Sequence, residues 1–97
     1  PVSHPGFALA QNYPNPFNQH TKIVFTLPGK TEVSLTIYNI SGQKIKAISN
    51  KILSKGKHEI IWDGTDDKGK TVSNGVYFYK LRTPDGIKEM RKMLFLK

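Results

Sequence analysis

The chain has 97 residues, no cysteine and a formal net charge of +8. This length suits one domain that buries roughly 60–65% of its unfolded surface. The absence of cysteine excludes a disulfide framework, a cysteine metal site and a cysteine nucleophile. No stretch approaches the run of about 20 apolar residues that a membrane-spanning helix requires, so no stable membrane insertion is expected.

The positive charge raises the question of an anionic partner, such as nucleic acid, anionic lipid or polysaccharide. The lysines, however, are spread along the chain and alternate with apolar residues, as in Lys44-Ile45-Lys46. Such spacing is typical of solvated strand faces and of sheet edges protected by lysine. We therefore expect no nucleic-acid partner.

Residues 1–6 contain two prolines, a glycine and a histidine without periodicity, which predicts a linker from an upstream domain. The first residue is Pro1, and no basic segment followed by an apolar segment marks a signal peptide. We expect the compact domain to occupy residues 7–97 and an upstream domain to carry the activity of a longer protein.

From Phe7 onward, short runs of β-branched and aromatic residues alternate with turn residues, and no helical stripe exceeds two turns. Strands are predicted at 7–9, 22–27, 32–40, 43–49, 57–62, 76–83 and 87–96. Turns are predicted at Pro28-Gly29, Ser41-Gly42, Lys55-Gly56, Asp67-Lys68-Gly69 and Pro84-Asp85-Gly86, with hairpins at several of them. The pattern indicates an all-β fold, an immunoglobulin-like β-sandwich of about seven antiparallel strands.

Alternation within the predicted strands indicates which side chains are buried. Ile23, Phe25 and Leu27 share one face of the second strand. In the third strand, Val33, Leu35 and Ile37 share one face in the same way. We expect these faces to form the core.

The most distinctive run is Gln11-Asn12-Tyr13-Pro14-Asn15-Pro16-Phe17-Asn18. Each proline fixes its own φ, lacks an N–H and moves the preceding residue out of helical space. We predict a rigid, extended turn from Tyr13 to Phe17, with both aromatic rings packed onto a sheet.

Asp63, Asp66 and Asp67 lie close together around Gly64 and Gly69, and oxygen-rich turns of this kind sometimes hold calcium. The full ligand spacing of a calcium hand is missing, and aspartates are favoured in turns because their side chains bond nearby backbone N–H groups. A structural turn is the preferred interpretation, and calcium binding stays open.

Catalysis is not expected, and neither is a cofactor. The histidines and most serines lack the neighbours that zinc binding or a nucleophile elbow requires. These residues are His4, His20, His58, Ser3, Ser41, Ser54 and Ser73.

A cluster of aromatic residues could form a platform that stacks on sugar. Alternation, however, directs Tyr77 and Tyr79 to one side of their strand and Phe78 to the other. Trp62 ends an apolar run with Ile60. Most of this aromatic area is therefore predicted to be core.

The proline run and the motifs after it closely resemble the C-terminal sorting domains of the bacterial type IX secretion system, which belong with the immunoglobulin-like domain of flagellar hook-capping proteins. The resemblance covers nearly the whole chain from Phe7. It continues through residues 21–28, 35–39, 42–45, 56–58, 62–66, 75–81 and 92–97. The chain departs from the family at Gln19 and His20, where another proline and a small hydroxyl residue are usual, and at Asn74, which separates Ser73 from Gly75.

The resemblance implies a non-catalytic signal that directs a larger parent protein through the type IX system to the cell surface by way of the periplasm. The implied partners are the outer-membrane secretion machinery and a sortase-like peptidase that cuts within residues 1–6. The implied recognition residues are Pro14, Asn15, Pro16, Gly75, Tyr77, Lys92 and Lys97. A carbohydrate-binding or adhesive module and a structural immunoglobulin-like spacer remain as alternatives.

The end of the chain leads to two further expectations. The alternation from Lys92 to Lys97 suits an edge strand to which a partner could add a strand. Deletion of Leu94 to Lys97 is then predicted to abolish export while leaving the domain mostly folded. Gly75 is predicted to need a positive φ or a close approach of backbone where the chain enters a strand.

Overall fold

The computed structural model describes residues 5–97, and its regular structure is all β. The strands are β1 (Ala8–Leu9), β2 (Thr21–Leu27), β3 (Thr31–Asn39), β4 (Lys44–Leu53), β5 (Gly56–Trp62), β6 (Gly75–Arg82) and β7 (Lys88–Phe95). Seven antiparallel strands in two sheets confirm the predicted immunoglobulin-like sandwich. Across the described residues, no helix is long and apolar enough to span a membrane. The predicted linker at residues 1–6 falls mostly outside the described part.

The two sheets are unequal. One has three strands in the order β1-β2-β5, and the other has four in the order β4-β3-β6-β7. Hairpins join β3 to β4 and β6 to β7, which confirms the turns predicted at Ser41-Gly42 and Pro84-Asp85-Gly86. The connections from β2 to β3 and from β4 to β5 cross between the sheets.

The predicted strand ends lie within one or two residues of the observed ones, except at the end of β4. That strand continues to Leu53, where it pairs with Thr31, instead of ending at Ser49. The irregularities in the pairing with β3 lie in the first half of β4, between residues 44 and 49, and the added residues begin with the polar pair Asn50-Lys51, both exposed. The hydrophobic pattern therefore could not reveal the second half of the strand.

The predicted buried faces form the core between the sheets. In β2, the side chains of Ile23, Phe25 and Leu27 are at most 1% exposed. The inward-facing residues of β3 are fully buried; they are Val33, Leu35 and Ile37. The alternation in the sequence was therefore a correct guide to both faces.

The aromatic residues considered for a sugar platform are mostly core, as predicted. Trp62, Tyr77 and Tyr79 are buried, while Phe78 lies half-buried on the outer face of the four-stranded sheet. The Tyr79 hydroxyl donates a hydrogen bond of 2.7 Å to the Ala10 carbonyl, and burial raises the pKa of this phenol. Tyr79 thus ties β6 to the chain that follows β1.

Gly75 begins β6 with a φ of 149° and pairs with Phe95, so the predicted need for a positive φ is confirmed. A Cβ added at this glycine would have no atom within 4 Å. The constraint at Gly75 is therefore one of backbone conformation and not of space.

We expect Gly75→Val to lower the free energy of unfolding by about 1–3 kcal/mol, because a β-branched residue is strained at this φ. Urea unfolding measures the change. Gly29→Val is the matched control, since Gly29 has no positive φ and open space around its Cβ. Equal stability of the two variants would contradict this account.

Candidate recognition site

Residues 11–17, here called the proline turn, lie along the outer edge of the last strand. The Phe17 N–H donates to the Leu94 carbonyl at 3.1 Å, and the Leu96 N–H donates to the Phe17 carbonyl at 2.9 Å. These two bonds form a short parallel bridge between Phe17 and Phe95. The beginning and the end of the described chain are thereby joined.

Two side chains of the proline turn extend this pairing. The Asn15 Oδ1 accepts the Leu94 N–H at 2.9 Å, and the Gln11 Nε2 donates to the Lys92 carbonyl at 2.7 Å. The Lys92 carbonyl, both backbone groups of Leu94 and the Leu96 N–H therefore already have partners. The prediction that a partner could add a strand beside residues 92–97 is wrong for 92–96, because the proline turn occupies that edge.

The proline turn also pairs with the other sheet. Tyr13 and Lys22 of β2 exchange backbone hydrogen bonds of 3.0 and 2.8 Å. The turn therefore bridges both sheets and covers one open side of the sandwich. Both X–Pro bonds within it, Tyr13–Pro14 and Asn15–Pro16, are cis.

Only one of the two predicted aromatic contacts is present. Phe17 is 3% exposed, which confirms its docking, but Tyr13 is 78% exposed. Tyr13 is paired with Lys22, whose side chain is exposed, and directly paired residues share one side of a sheet. The backbone pairing thus directs the Tyr13 ring to solvent.

A buried polar pair, Asn12 and Thr21, holds the proline turn through hydrogen bonds on its inner side. The sequence did not predict this pair. The Asn12 Nδ2 donates to the Thr21 Oγ1 at 2.9 Å, and the Thr21 hydroxyl donates to the Pro14 carbonyl at 2.8 Å. Both residues are at most 2% exposed. An asparagine directly before an aromatic–proline pair was a signal for such a local bond.

An aromatic cluster lies beneath the pairing. The Phe17 ring is 4.9 Å from the Phe95 ring and 5.6 Å from the Trp62 ring, measured between centroids. Trp62 in turn lies 5.5 Å from Tyr77. A Cβ built on Gly64 would stand 3.0 Å from the tip of Phe95. The cluster is closely packed, and Tyr77 belongs to it as a core residue.

Asn74, which departs from the family pattern, forms a hydrogen bond with the backbone of Lys97. The Lys97 N–H donates to the Asn74 Oδ1 at 2.9 Å. Asn74 directly precedes Gly75, which pairs with Phe95. The Gly75 motif and the chain end are therefore in direct contact.

All the predicted recognition residues meet at this end of the domain, in two structural roles. Tyr77 is buried and Gly75 is half-buried, so these two shape the backbone and the core. The exposed members are Pro14, Asn15, Pro16, Lys92 and Lys97. We refer to these exposed residues and the backbone between them as the terminal surface. It exposes two lysines beside backbone that is held by hydrogen bonds.

The structure bears on one expectation about the chain end. Deletion of Leu94 to Lys97 would remove Phe95, which is 1% exposed and packs against Phe17 and Trp62. Loss of such a ring costs about 3–5 kcal/mol, a large part of a total stability of about 5–10 kcal/mol. The deletion would therefore lower the stability of the domain as well as remove Lys97, and it does not test recognition alone.

The acidic turn after β5 uses its carboxylates to hold backbone. The Asp63 Oδ1 accepts from the Thr65 hydroxyl at 2.5 Å, and the Asp66 Oδ1 accepts from the N–H groups of Lys68 and Lys70 at 2.9 and 3.0 Å. The Asp67 Oδ1 accepts the Ala47 N–H at 3.1 Å. In the described part of the chain, no three His, Cys, Asp or Glu residues are grouped as metal ligands. These contacts favour the structural-turn interpretation.

We expect Asn15→Ala to lower the free energy of unfolding by about 1 kcal/mol, because it leaves the Leu94 N–H without its acceptor. Asn15→Asp is the matched control, since a carboxylate oxygen can accept the same bond. Urea unfolding of both variants measures the effect. Destabilisation of the two variants by the same amount would show that the acceptor oxygen is not what holds the turn.

We expect the domain to lose stability in acid partly through the turn after β5. The Thr65 hydroxyl lowers the pKa of Asp63, and the Lys70 N–H lowers the pKa of Asp66, both from an ordinary 3.8. Their contribution is present above that value and is lost as the pH falls through the lower folded-state pKa. The double variant Asp63→Asn/Asp66→Asn keeps the acceptor oxygens. Urea midpoints measured downward from pH 6 should fall less for it than for the wild type, and identical pH profiles would contradict this origin.

Solved structures share the fold. PorU from Porphyromonas gingivalis, described as dimeric and latent, matches at 20% identity and a TM-score of 0.74, over 91% of this chain and 9% of its own. FlgD from P. aeruginosa matches at 24% identity and a TM-score of 0.63, over 77% of this chain and 60% of its own.

PorZ, described as an essential surface component of the type IX secretion system of Porphyromonas gingivalis, matches at 16% identity and a TM-score of 0.59. The match covers 95% of this chain and 12% of PorZ. The chain therefore spans only a small part of PorU and PorZ, and these likenesses establish a common fold. No curated protein matches the chain in sequence.

The model of the FlgD Ig-like domain matches residues 12–86, from the proline turn to the hairpin between β6 and β7. This match covers most of the strands that build both sheets, and the architecture agrees with the structures just described. The chain belongs to the FlgD Ig-like domain family.

Proposed function

We propose that this domain is a non-catalytic C-terminal sorting signal, which directs a larger parent protein through the type IX secretion system to the cell surface by way of the periplasm. The observation that carries the proposal is the junction of the proline turn, the Gly75 motif and the last strand. Motifs far apart in the sequence form one rigid surface with exposed Lys92 and Lys97. The fold shared with PorZ, a surface component of that system, supports the assignment.

In this proposal the outer-membrane secretion machinery binds a folded surface and not a free strand. The terminal surface exists only when Phe17 and Phe95 are packed together, because their pairing places Asn15 beside Leu94 and Gln11 beside Lys92. A sortase-like peptidase then cuts within residues 1–6, between the domain and an upstream catalytic or binding domain. The proline turn would stay with the sorting domain after the cut.

The proposed role requires no catalysis. In the acidic turn after β5, the carboxylates of Asp63 and Asp66 accept hydrogen bonds from their own turn. The His58 ring contacts the Ser54 carbonyl at 2.8 Å, which also gives it a local structural partner. These contacts support a module that acts by binding.

A structural spacer of the hook-capping type is the second candidate. The family match favours it, because the match ends at residue 86 and does not include β7. The two candidates therefore differ in what the last strand does: a spacer needs it for packing alone, whereas a sorting signal also needs its exposed lysines. A carbohydrate-binding module is less favoured, since Trp62 and Tyr79 are buried.

The direct test is export of a fluorescent reporter that carries residues 1–97 at its C-terminus behind an ordinary signal peptide. We expect the reporter outside cells that have the type IX system and in the periplasm of a mutant that lacks it. Periplasmic retention in both strains would overturn the sorting role and favour the spacer.

We expect the double variant Lys92→Glu/Lys97→Glu to reduce export of this reporter by about tenfold or more, because charge reversal opposes a partner that reads cations. Both side chains are exposed, so the melting temperature should change little. This variant replaces the deletion of Leu94 to Lys97, which would also remove core.

The matched control for that variant is Lys30→Glu/Lys55→Glu. These exposed lysines lie near Thr31 and Gly56, at the end of the sandwich opposite to the Gly75–Phe95 pair. We expect normal export of the control. A similar loss for both double variants would mean that net charge matters and the terminal surface does not.

A further inference from the structure

We propose that the groove around Ile40 is a docking site for an acidic protein segment that inserts one apolar side chain. The proposal rests on the proposed function, because we take this segment to belong to the secretion machinery. It adds a second contact area, on the outer face of the four-stranded sheet, to the terminal surface.

Two cavities, of about 300 and about 370 Å³, flank Ile40 and share Asn39 and Ile40 in their walls. They form what we call the Ile40 groove. The Ile40 side chain is 73% exposed, and Met90 in the wall of the first cavity is 58% exposed, so the two add apolar surface to one contiguous site. Tyr38, Phe78 and Met90 line the first cavity. The groove is therefore mainly apolar.

The turn that carries Ile40 is ordered before any partner arrives. The Asn39 Oδ1 accepts the N–H groups of Ser41 and Gln43 at 3.0 and 2.9 Å. The Asn39 Nδ2 donates to the Gln43 side chain at 2.8 Å. A groove held in this way needs little ordering when it binds.

The Ile40 groove begins beside the terminal surface. Asn74 and Gly75 line its second cavity, and Asn74 is the residue that holds the Lys97 backbone. A partner that contacts Lys97 would therefore reach Ile40 by following this cavity. The groove and the terminal surface are continuous.

The charge around the groove is positive. Strand pairing places Lys44 beside Tyr38, Lys80 beside Met90 and Lys92 beside Phe78 on the outer face. The Lys80 Nζ lies 5.3 Å from the centre of the Tyr38 ring. Within residues 5–97, no Asp or Glu lines either cavity.

On the outer face of the other sheet, a carboxylate lies beside a lysine. There Lys22 forms an ion pair of 3.5 Å with Glu59 on the neighbouring strand. The lysines around the Ile40 groove have no such carboxylate in the groove walls, within the described part of the chain. An anionic partner would be guided to the four-stranded sheet.

These properties specify the occupant. An apolar cavity flanked by lysines fits an aromatic or aliphatic side chain with carboxylates on either side. A lipid bilayer fits less well, because Tyr38 and Phe78 are half-buried against the sheet and do not project into a membrane. We therefore assign the groove to an acidic protein segment.

The test uses the isotopically labelled domain and a synthetic heptapeptide with a central phenylalanine between aspartates. We expect amide chemical-shift changes to concentrate at Tyr38, Ile40, Phe78 and Met90. A peptide with serine in place of phenylalanine should bind about tenfold more weakly. Equal binding of the two peptides, or shifts spread over all the lysines, would overturn the proposal as unspecific charge attraction.

Surface variants of the domain test both parts of the groove. Ile40→Ser and Lys44→Glu/Lys80→Glu should each weaken phenylalanine-peptide binding by about tenfold. The matched controls are Ile61→Ser and Lys55→Glu/Lys57→Glu, which change exposed residues away from the groove and should bind as the wild type does. Weakening by the controls to the same extent would overturn the assignment.

Two further measurements separate the alternatives. Binding of the domain to phosphatidylglycerol vesicles that is lost with Ile40→Ser would overturn the protein occupant in favour of a lipid surface. In the export assay, normal export of Ile40→Ser and Lys44→Glu/Lys80→Glu beside an exported wild type would overturn the groove's role and leave the sorting function intact. Failure of the wild-type reporter would instead remove the sorting function, and the peptide titration would still decide whether the groove binds.

Discussion

The pairing of Phe17 with the last strand is the contact on which the rest of this domain depends. It joins backbone at both ends of the described chain and places the Phe17 ring against Phe95 and Trp62. Burial of aromatic area supplies much of the stabilisation at such a site, and the hydrogen bonds prevent an open sheet edge. The proline turn therefore acts as a short additional strand of the four-stranded sheet.

This contact links the stability of the domain to the positions of its exposed lysines. Lys92 and Lys97 lie next to buried or paired residues. Their positions therefore follow from the packing of Phe95 and from the hydrogen bond that the Lys97 N–H donates to Asn74. A partner that binds them would detect whether the domain is folded. Neighbouring residues also differ in their surroundings, because Phe95 is packed in the core whereas the side chains of Lys92 and Lys97 are exposed.

The lysines on the two outer faces have different neighbours. The three-stranded sheet pairs Lys22 with Glu59, while the lysines around the Ile40 groove of the four-stranded sheet have no Asp or Glu beside them in the groove walls, among the described residues. The even spread of lysines along the chain concealed this, because the folding of the strands and not their order in the sequence decides which face a lysine occupies.

The sequence by itself determined the all-β architecture, the inward faces of β2 and β3 and the positive φ at Gly75, because these follow from local alternation and backbone sterics. It also identified the proline run and the chain end as distinctive. Only the tertiary structure decided that these two segments pair, that Tyr13 is exposed and that the proline turn occupies the edge of the last strand at Leu94. The physical reason is that strand pairing between distant segments depends on how the two sheets close around one core, and neither alternation nor turn propensity contains that information.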